Sequence, residues 1–380
     1  MMDSCFFVSN FNLNNRKGGF DGLGGKIYDL LKENLDDVIL LDNINPPVEK
    51  IDRYRSILLR KMRIPANFPS YSASRLNRIA RLLEKALGGK NGFIVFHGTT
   101  PWVNYKPGQK YYAFTDCSFE TYISNYHDRS QYSKKDIGRI IKAEENFFAN
   151  AEQVFFTSGW AIKETKTHYQ LPGDNFLNIR QGPSMEISSH AFTGESPINQ
   201  FVFIGTDFLG KGGGLICNAF RRFNTERQDY KLLIIGEKPP EEYLSIPNVT
   251  FLGYVNKSTD KGRQQLEKIY QQSKALLLLT RKDISPLVLI EAGLHGCPSI
   301  ANDQGAIPEM IVENISGFQI DSNEDECLLA MRKIAGMESG ELLTLREKTK
   351  TYYQENYDWS GIMKLMMHKI LPGVKYKQAD

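Results

Sequence analysis

Residues 280–308 decide the fold prediction, and they read Thr-Arg-Lys-Asp-Ile-Ser-Pro-Leu-Val-Leu-Ile-Glu-Ala-Gly-Leu-His-Gly-Cys-Pro-Ser-Ile-Ala-Asn-Asp-Gln-Gly-Ala-Ile-Pro. The apolar run 275–279 directly before them is short enough for a strand that is buried on both faces. Ser285 offers a hydroxyl as N-cap, and Pro286 has the fixed φ of a first helical residue. A helix is therefore expected over residues 287–295.

The end of this helix is marked by Gly296, since glycine adopts a left-handed conformation at least cost. Pro298 then opens a second strand, which we expect over residues 299–301. Strand, helix and strand in this order predict a parallel sheet of the doubly wound α/β type. Ligands of such sheets bind at the carboxyl ends of the strands, which is where the polar residues of this stretch lie.

Two acidic residues frame the start of the predicted helix. Asp283 lies in the loop before it, and Glu291 lies eight positions later, within its second turn. The helix N-terminus between them carries positive partial charge and N–H groups suited to a phosphate. Two carboxylates around an anion site indicate a nucleotide sugar, which has hydroxyls at both ends and a diphosphate between them. From spacing alone, a solvated aspartate and a surface glutamate fit equally well.

The stretch resembles the signature of the retaining glycosyltransferases of family 4, which have the two-domain GT-B fold. That signature has two glutamates separated by seven residues, a helix of small residues, a Gly-x-Pro strand entry and a Gly-x-x-Glu turn. The matching positions here are Asp283, Glu291, 296–298, Gly305 and Glu309, with aspartate in place of the first glutamate. The resemblance implies two Rossmann-like doubly wound domains facing across a cleft.

Composition is that of a globular protein of two ordinary domains. The chain has 380 residues, is 41% hydrophobic and 24% charged, and carries a net charge of +3, too small to indicate nucleic-acid binding. No apolar run approaches the ~18 residues of a membrane-spanning helix, and the start resembles a first strand without the basic region of a signal peptide. Five scattered cysteines without a CxxC pair favour the reducing cytoplasm.

Domain boundaries follow from a polar segment in the middle of the chain. Residues 184–199 are rich in serine, proline and glycine and are predicted to link two domains, 1–183 and 200–357. The closing helix, 358–380, matches the helix that returns to the N-terminal domain in the GT-B fold. The resemblance implies that the first domain binds the acceptor and the second binds the nucleotide sugar.

The loop after the first strand of the second domain contains a candidate phosphate contact. This loop nearly matches a P-loop, since it reads Gly205-Thr206-Asp207-Phe208-Leu209-Gly210-Lys211. Gly212, however, replaces the Ser/Thr that would hold Mg²⁺, which argues against an NTPase. Family 4 enzymes have Gly-Arg, four residues and Lys-Gly here, with both cations on the diphosphate. Lys211 occupies the lysine position, and Thr206 replaces the arginine.

The N-terminal half offers alternatives that the sequence leaves open. Gly24-Gly25, predicted at the start of a helix over 26–35, resembles the glycine pair that closes the family's site, and Gly18-Gly19 is a rival for that role. Family 4 enzymes often have a histidine that touches the donor sugar. His97 and Asp116, at the carboxyl ends of two predicted strands, are the candidates for that position.

Residues 50–90 are visibly basic and contain an amphipathic helix over 74–87, with Leu76, Leu82 and Leu83 among its apolar residues. Such a helix is usually packed on the core with a solvated polar face. Contact with an anionic membrane is the alternative, which would make the protein peripheral at the inner face of the membrane.

The resemblance implies transfer of a sugar from a nucleotide sugar, UDP-linked first and GDP-linked next, to a glycan or lipid-linked acceptor in surface polysaccharide or glycoconjugate synthesis. No cofactor and no metal are expected. A GT-B epimerase or hydrolase, or a non-catalytic partner subunit, are the alternatives. Lys211, Asp283, Glu291, His97 and Asp116 are the predicted catalytic residues. The predicted donor contacts are Gly24, Gly25, Gly205, Thr206, Tyr254, Val255, Ser285, Pro286, Leu287, Val288 and Glu291.

Overall fold

The computed structural model describes residues 4–13, 19–187 and 197–372. These residues form two compact units. The chain passes from the first unit to the second between Arg180 and Gln181 and returns to the first between Ile362 and Met363. The predicted domain boundaries, after residues 183 and 357, differ from these positions by a few residues and stay predictions. Each unit contains one six-stranded sheet of parallel strands with flanking helices.

The sheet of the first unit has the strand order β2-β1-β3-β4-β5-β6. Every neighbouring pair is parallel, as the prediction of a doubly wound sheet requires. Its strands are β1 (Cys5–Val8), β2 (Val38–Leu41), β3 (Phe93–His97), β4 (Lys110–Thr115), β5 (Gln153–Phe156) and β6 (Phe176–Asn178). β1 and β3 are buried along their whole length, because helices cover both faces of a parallel sheet.

Six helices accompany this sheet among the described residues. They are α1 (Gly19–Asn34), α2 (Lys50–Lys61), α3 (Ala73–Leu87), α4 (Phe119–Tyr126), α5 (Lys134–Asn150) and α6 (Gly159–His168). Four of them begin at a serine whose hydroxyl accepts a hydrogen bond from the backbone N–H three residues later, the usual N-cap of a helix.

The first helix begins at Gly19 and not at Lys26, so the prediction for this segment is wrong. Four glycines within it favour a loop locally, but Leu23, Ile27 and Leu31 continue one apolar stripe and are all buried. Burial of that stripe therefore outweighs the low helix propensity of glycine.

The helix α3 confirms the predicted amphipathic segment with two exceptions. Leu76 and Leu83 are in the core, whereas Leu82, expected beside them, is exposed. Arg75, expected on the solvated face, is buried, and its Nε donates to the carbonyl of Pro46 over 2.8 Å. Its other nitrogens reach Ser70 and Asn45, so the guanidinium anchors the preceding segment to the helix.

The sheet of the second unit has the order β12-β11-β10-β7-β8-β9, again with parallel neighbours. Its strands are β7 (Gln200–Gly205), β8 (Lys231–Gly236), β9 (Val249–Gly253), β10 (Ala275–Leu278), β11 (Ser299–Ala301) and β12 (Gly317–Gln319). The helices of this unit are α7 (Gly213–Glu226), α8 (Glu241–Leu244), α9 (Asp260–Gln272), α10 (Leu287–Leu294), α11 (Ile307–Met310), α12 (Glu324–Gly336) and α13 (Ser339–Tyr357). The last helix, α14 (Trp359–Ile370), contains the point at which the chain passes from the second unit back to the first.

The segment around α10 follows the prediction closely, except at its cap. Gly296 has the expected left-handed φ of 66°, and β11 begins at Ser299 as predicted. Pro286, however, is the N-cap, and no side chain caps the helix. The prediction of Ser285 as N-cap is wrong, because its hydroxyl is used elsewhere, as described below.

Candidate functional site

Two loops of the second unit meet at the carboxyl edge of its sheet. Since β7 and β10 are parallel neighbours, the loops that follow them lie side by side, and the Arg281 N–H donates to the carbonyl of Gly210 over 2.9 Å. Across these loops Lys211 Nζ lies 2.9 Å from Asp283 Oδ2, and both side chains are half-buried. The structure therefore brings together two of the predicted catalytic residues as an ion pair.

Glycines on either side of Lys211 fix its position. A Cβ at Gly205 would lie 2.8 Å from Cδ of Lys211, so the lysine side chain runs over the bare backbone of this residue. Gly212 has a φ of 81°, and a Cβ there would collide with the carbonyl of Leu279. Glycine at these two positions lets the lysine loop pack directly on its neighbours.

The loop of Asp283 is held by its backbone. Thr280 Oγ1 accepts from the N–H of Asp283 over 3.2 Å, and Asn302 Nδ2 donates to the Thr280 carbonyl over 2.9 Å. The Ala306 N–H donates to the carbonyl of Ile284 over 2.7 Å. The carboxylate is thus presented to Lys211 from a loop with a fixed backbone.

Glu291 lies on α10 with only 3% of its side chain exposed and has two partners that the sequence analysis missed. Lys257 Nζ lies 2.6 Å from its Oε1, and Ser184 Oγ donates to the same oxygen over 2.8 Å. Lys257 follows β9 in the same loop as the predicted contacts Tyr254 and Val255, whereas Ser184 falls in the predicted linker. A buried carboxylate requires hydrogen-bonding or charged partners. The acidic residue within an otherwise apolar helix was therefore the one feature of the sequence that indicated such partners for Glu291.

Ser285 does not cap α10 because Gln181 uses it. Gln181 Nε2 donates to Ser285 Oγ over 2.7 Å and to the Ser285 carbonyl over 3.0 Å. Pro286 and Val288 are buried and Leu287 is half-buried at the start of the helix. The first N–H groups of this turn have no helical carbonyl four residues earlier, which is the property that makes a helix start suitable for an anion.

The other predicted donor contacts of this unit also lie at strand ends. Thr206 is exposed directly after β7. Tyr254 is exposed directly after β9, whereas Val255 is buried beside it. Gly253, the last residue of β9, has a φ of 84° and turns the chain before these two residues.

His97, in the first unit, is the last residue of β3 and has no exposed surface. Its ring stacks on Phe20 with centroids 4.3 Å apart, and its Nδ1 lies 3.1 Å from Ser9 Oγ. Burial lowers the pKa of His97 to about 3, so the imidazole is neutral at physiological pH. Such a side chain can position its neighbours or donate one hydrogen bond, but it does not act as a cation.

Gly24 packs against His97, which corrects the predicted role of the glycine pair. A Cβ at Gly24 would collide with the imidazole, so glycine is required for helix and histidine to approach. Gly24 and Gly25 lie inside α1, where their N–H groups belong to the helical hydrogen bonds. They cannot offer these groups to a phosphate. Gly19, of the rival pair, begins the helix with a φ of 64°, and Gly18 lies outside the described residues.

Asp116 follows β4 directly and is half-buried. Burial of the carboxyl group raises the pKa of Asp116 to about 6, against hydrogen bonds from Cys117 that lower it. No contact links Asp116 to His97 within the described part of the chain, so each remains a separate candidate.

Neither a metal site nor a membrane span is found among residues 4–13, 19–187 and 197–372. No three His, Cys, Asp or Glu side chains in these ranges are grouped to hold a metal ion. None of the helices described has the length and apolarity to cross a bilayer.

Comparison with known proteins connects the second unit to sugar transfer. Residues 199–335, which include Lys211, Asp283 and Glu291, match the family model Glycosyl transferases group 1. The chain is 25% identical over 196 residues to D-inositol 3-phosphate glycosyltransferase of Segniliparus rotundus, covering 49% of this chain and 43% of the relative. The chain thus spans less than half the length of the curated relatives it matches.

Solved structures resemble the chain over nearly its whole length. Sucrose-phosphate synthase (tll1590) from Thermosynechococcus elongatus has a TM-score of 0.67 at 14% identity, covering 96% of this chain and 97% of that one. Anabaena Alr3699/HepE in complex with UDP and glucose has a TM-score of 0.64 at 13% identity, covering 97% and 100%. Membership of family 4 in particular stays a prediction. The prediction of a GT-B fold with two Rossmann-like domains is confirmed, and the family match together with this fold supports a glycosyltransferase of the GT-B type.

Proposed function

We propose that the protein is a retaining glycosyltransferase that moves a sugar from a nucleotide sugar, UDP-linked before GDP-linked, to a glycan or lipid-linked acceptor. The observation that carries this proposal is the Lys211–Asp283 pair beside the start of α10, inside the segment that matches the glycosyl transferase family. HepE, which shares the fold, was solved with UDP and glucose. Synthesis of surface polysaccharides or glycoconjugates is the proposed context.

Lys211 is proposed to bind the diphosphate. In the reaction the bond from the anomeric carbon to the diphosphate oxygen breaks, and the acceptor oxygen bonds to that carbon. The acceptor proton leaves to the diphosphate or to solvent. Negative charge therefore grows on the diphosphate, and a fixed ammonium beside helix N–H groups stabilises it, which is commonly the largest contribution to catalysis. No metal and no cofactor form part of this proposal.

Asp283 is proposed to orient Lys211 and to accept hydrogen bonds from the donor sugar. An ammonium has three N–H donors, so Lys211 can keep its 2.9 Å contact with Asp283 while it binds a phosphate oxygen. Aspartate is one methylene shorter than the glutamate of the family, and the pair with Lys211 keeps its carboxylate close to the phosphate position.

Glu291 is proposed to bind the ribose. Lys257 and Ser184 both contact Oε1, which fixes the carboxylate and directs Oε2 to ribose hydroxyls. Tyr254 and Val255, in the same loop as Lys257, are proposed to contact the base. In the first unit, the half-buried Asp116 is better placed than the fully buried His97 to touch a sugar. The five described cysteines are free thiols, in line with a proposed cytoplasmic location.

The proposal is tested by release of nucleoside diphosphate from a panel of UDP- and GDP-sugars, with and without glycan and lipid-linked acceptors, in EDTA. We expect acceptor-dependent release, and a product whose anomeric configuration by NMR equals that of the donor. Lys211→Gln should lose at least about tenfold in rate, as for a lost charged hydrogen bond. Lys333→Gln, which changes a 49% exposed side chain on α12 of the same unit, is the matched control.

The alternatives give different results in this assay. Release of nucleoside diphosphate at the same rate with and without every acceptor indicates a hydrolase or epimerase. A chain that binds nucleoside diphosphates without turnover is a non-catalytic partner subunit. An inverted product rejects the retaining mechanism.

A further inference from the structure

The helix α2 has its polar side toward the protein and its apolar side outward. Asp52, Ser56 and Arg60 are spaced four residues apart and therefore share one face. Ser74 Oγ donates to Asp52 Oδ2 over 3.3 Å, Ser56 is buried, and the guanidinium of Arg60 lies 5.8 Å from the ring centroid of Tyr132. The helix is thus attached to the first unit by polar contacts.

The opposite face of α2 is a row of large apolar side chains. Ile51, Tyr54, Leu58 and Met62 follow the helical spacing and are 72%, 68%, 59% and 60% exposed. Single exposed apolar residues are normal on a protein surface, whereas a contiguous row marks a binding surface. An ordinary surface helix would turn such a row toward the core. We call these four residues the apolar row.

Cations flank the apolar row on both sides. At helical spacing Lys50 and Lys61 lie on one side of the row and Arg55 on the other, and Arg53 and Arg63 are further exposed cations of this segment. The acidic residues nearby are Glu49 and Asp52, and Asp52 is engaged by Ser74. Long basic side chains beside an apolar helix face can extend toward phosphate groups while the face enters the acyl region.

We propose that α2 binds an anionic membrane surface, with the apolar row inserted at the boundary of headgroups and acyl chains and the flanking cations on lipid phosphates. The sequence had directed membrane contact to the basic region 50–90 with its amphipathic helix over 74–87, but that helix, α3, packs its apolar side into the core. The proposal is independent of the sugar transfer proposed above, since binding needs neither donor nor acceptor.

Charge decides between a membrane and a second copy of the chain. In a two-fold dimer packed on the apolar row, the same cations of both copies would face each other, and like charges oppose that contact. An anionic lipid surface attracts every one of them. The apolar row and its flanking cations therefore favour an anionic lipid surface over a second copy of the chain.

The test is co-sedimentation of the full chain with vesicles of phosphatidylcholine alone and of equimolar phosphatidylcholine and phosphatidylglycerol. We expect binding to the anionic vesicles only, weakened by high salt. Ile51→Gln/Leu58→Gln should lower the partition coefficient at least about tenfold. Leu252→Gln/Leu329→Gln, a pair of exposed leucines in the second unit, is the matched control and should bind like the wild type.

Thermal unfolding is measured first to check that both double variants fold, as expected for substitutions of exposed side chains. The proposal is overturned if the wild type does not bind anionic vesicles. It is equally overturned if Ile51→Gln/Leu58→Gln binds them as tightly as the wild type, since charge alone would then explain the binding. It is also overturned if ultracentrifugation shows a dimer that this variant dissociates while no vesicle binding occurs. That result would identify a second copy as the occupant.

Discussion

At the scale of single residues, burial determines how much the contact between Lys257 and Glu291 stabilises the protein. Lys257→Met leaves the Glu291 carboxylate, 3% exposed, without its ammonium, and removal of one partner of a buried pair is strongly destabilising. Lys257 itself is 18% exposed, so we expect a loss of about 2 kcal/mol in urea unfolding, below the value for a fully buried pair.

The control is a pair of nearly the same length on the surface. Lys238 Nζ lies 2.7 Å from Glu241 Oε1 with side chains 63% and 78% exposed, and Lys238→Met should cost no more than about 0.5 kcal/mol. The double variant Lys257→Met/Glu291→Gln should recover part of the loss. Equal effects of the two lysine variants would show that Glu291 is satisfied by other groups.

Asp116 makes stability depend on pH in a predictable direction. Burial raises its pKa to about 6 in the folded protein, against about 3.9 in an unfolded chain. The folded state thus binds the proton more tightly, so the contribution of Asp116 is fully present below about pH 4 and is lost as the pH rises through 6.

Asp116→Asn removes this dependence. Relative to the wild type, the variant should gain up to about 2–3 kcal/mol of unfolding free energy between pH 4 and pH 7. Urea unfolding at both pH values measures the gain, and Asp325→Asn, on the exposed surface, should show none of it. A difference between variant and wild type that stays constant with pH would mean that the Asp116 carboxyl is solvated.

The sequence could not predict which residues from distant parts of the chain contact Glu291. Asp283 and Glu291 were identified by their spacing around a predicted helix. Lys257 and Ser184 were not, because they reach Glu291 from 34 and 107 positions away. Only the folded sheet brings the loop after β9 and the segment after residue 181 to the same helix.

At the scale of elements, strands were predicted better than the start of α1. β11 has the predicted bounds, and β10 ends one residue before the predicted end at 279, since each is a short apolar run followed by a polar turn. In α1 the glycines indicated a turn, yet tertiary packing made them helical. Gly24 is required by its tertiary contact with His97, which helix propensity along the chain cannot predict.

The start of α7 yields a prediction about its connection to β10. Gly212→Ala should destabilise the protein by at least about 1–2 kcal/mol for the left-handed backbone, and further because its Cβ would collide with the Leu279 carbonyl. Gly138→Ala, inside α5 with no atom within 4 Å of the new methyl group, should be neutral or stabilising. Thermal unfolding compares them, and equal stability of both variants would show that the Lys211 loop moves without cost.

At the scale of the whole molecule, two sheets of the same class divide their roles unequally. The family match covers residues 199–335, and the loops at the carboxyl edge of that sheet hold Lys211, Asp283, Glu291 and Lys257. The first unit instead carries the outward apolar row of α2 and the candidates His97 and Asp116. Family motifs are dense in the second half of the sequence and sparse in the first, so the sequence directed most donor contacts to the second domain and gave no indication of the apolar row.

The central claim is that Lys211 and its neighbours bind a nucleoside diphosphate. The most direct measurement is calorimetric titration of UDP and GDP, in EDTA, into the wild type, Lys211→Gln and the surface control Lys333→Gln. The account predicts that one of the nucleotides binds to the wild type and the control alike. Its affinity should fall at least about tenfold in Lys211→Gln, equal to about 1.4 kcal/mol. Absence of binding by both nucleotides, binding that EDTA abolishes, or unchanged affinity in Lys211→Gln would contradict the claim.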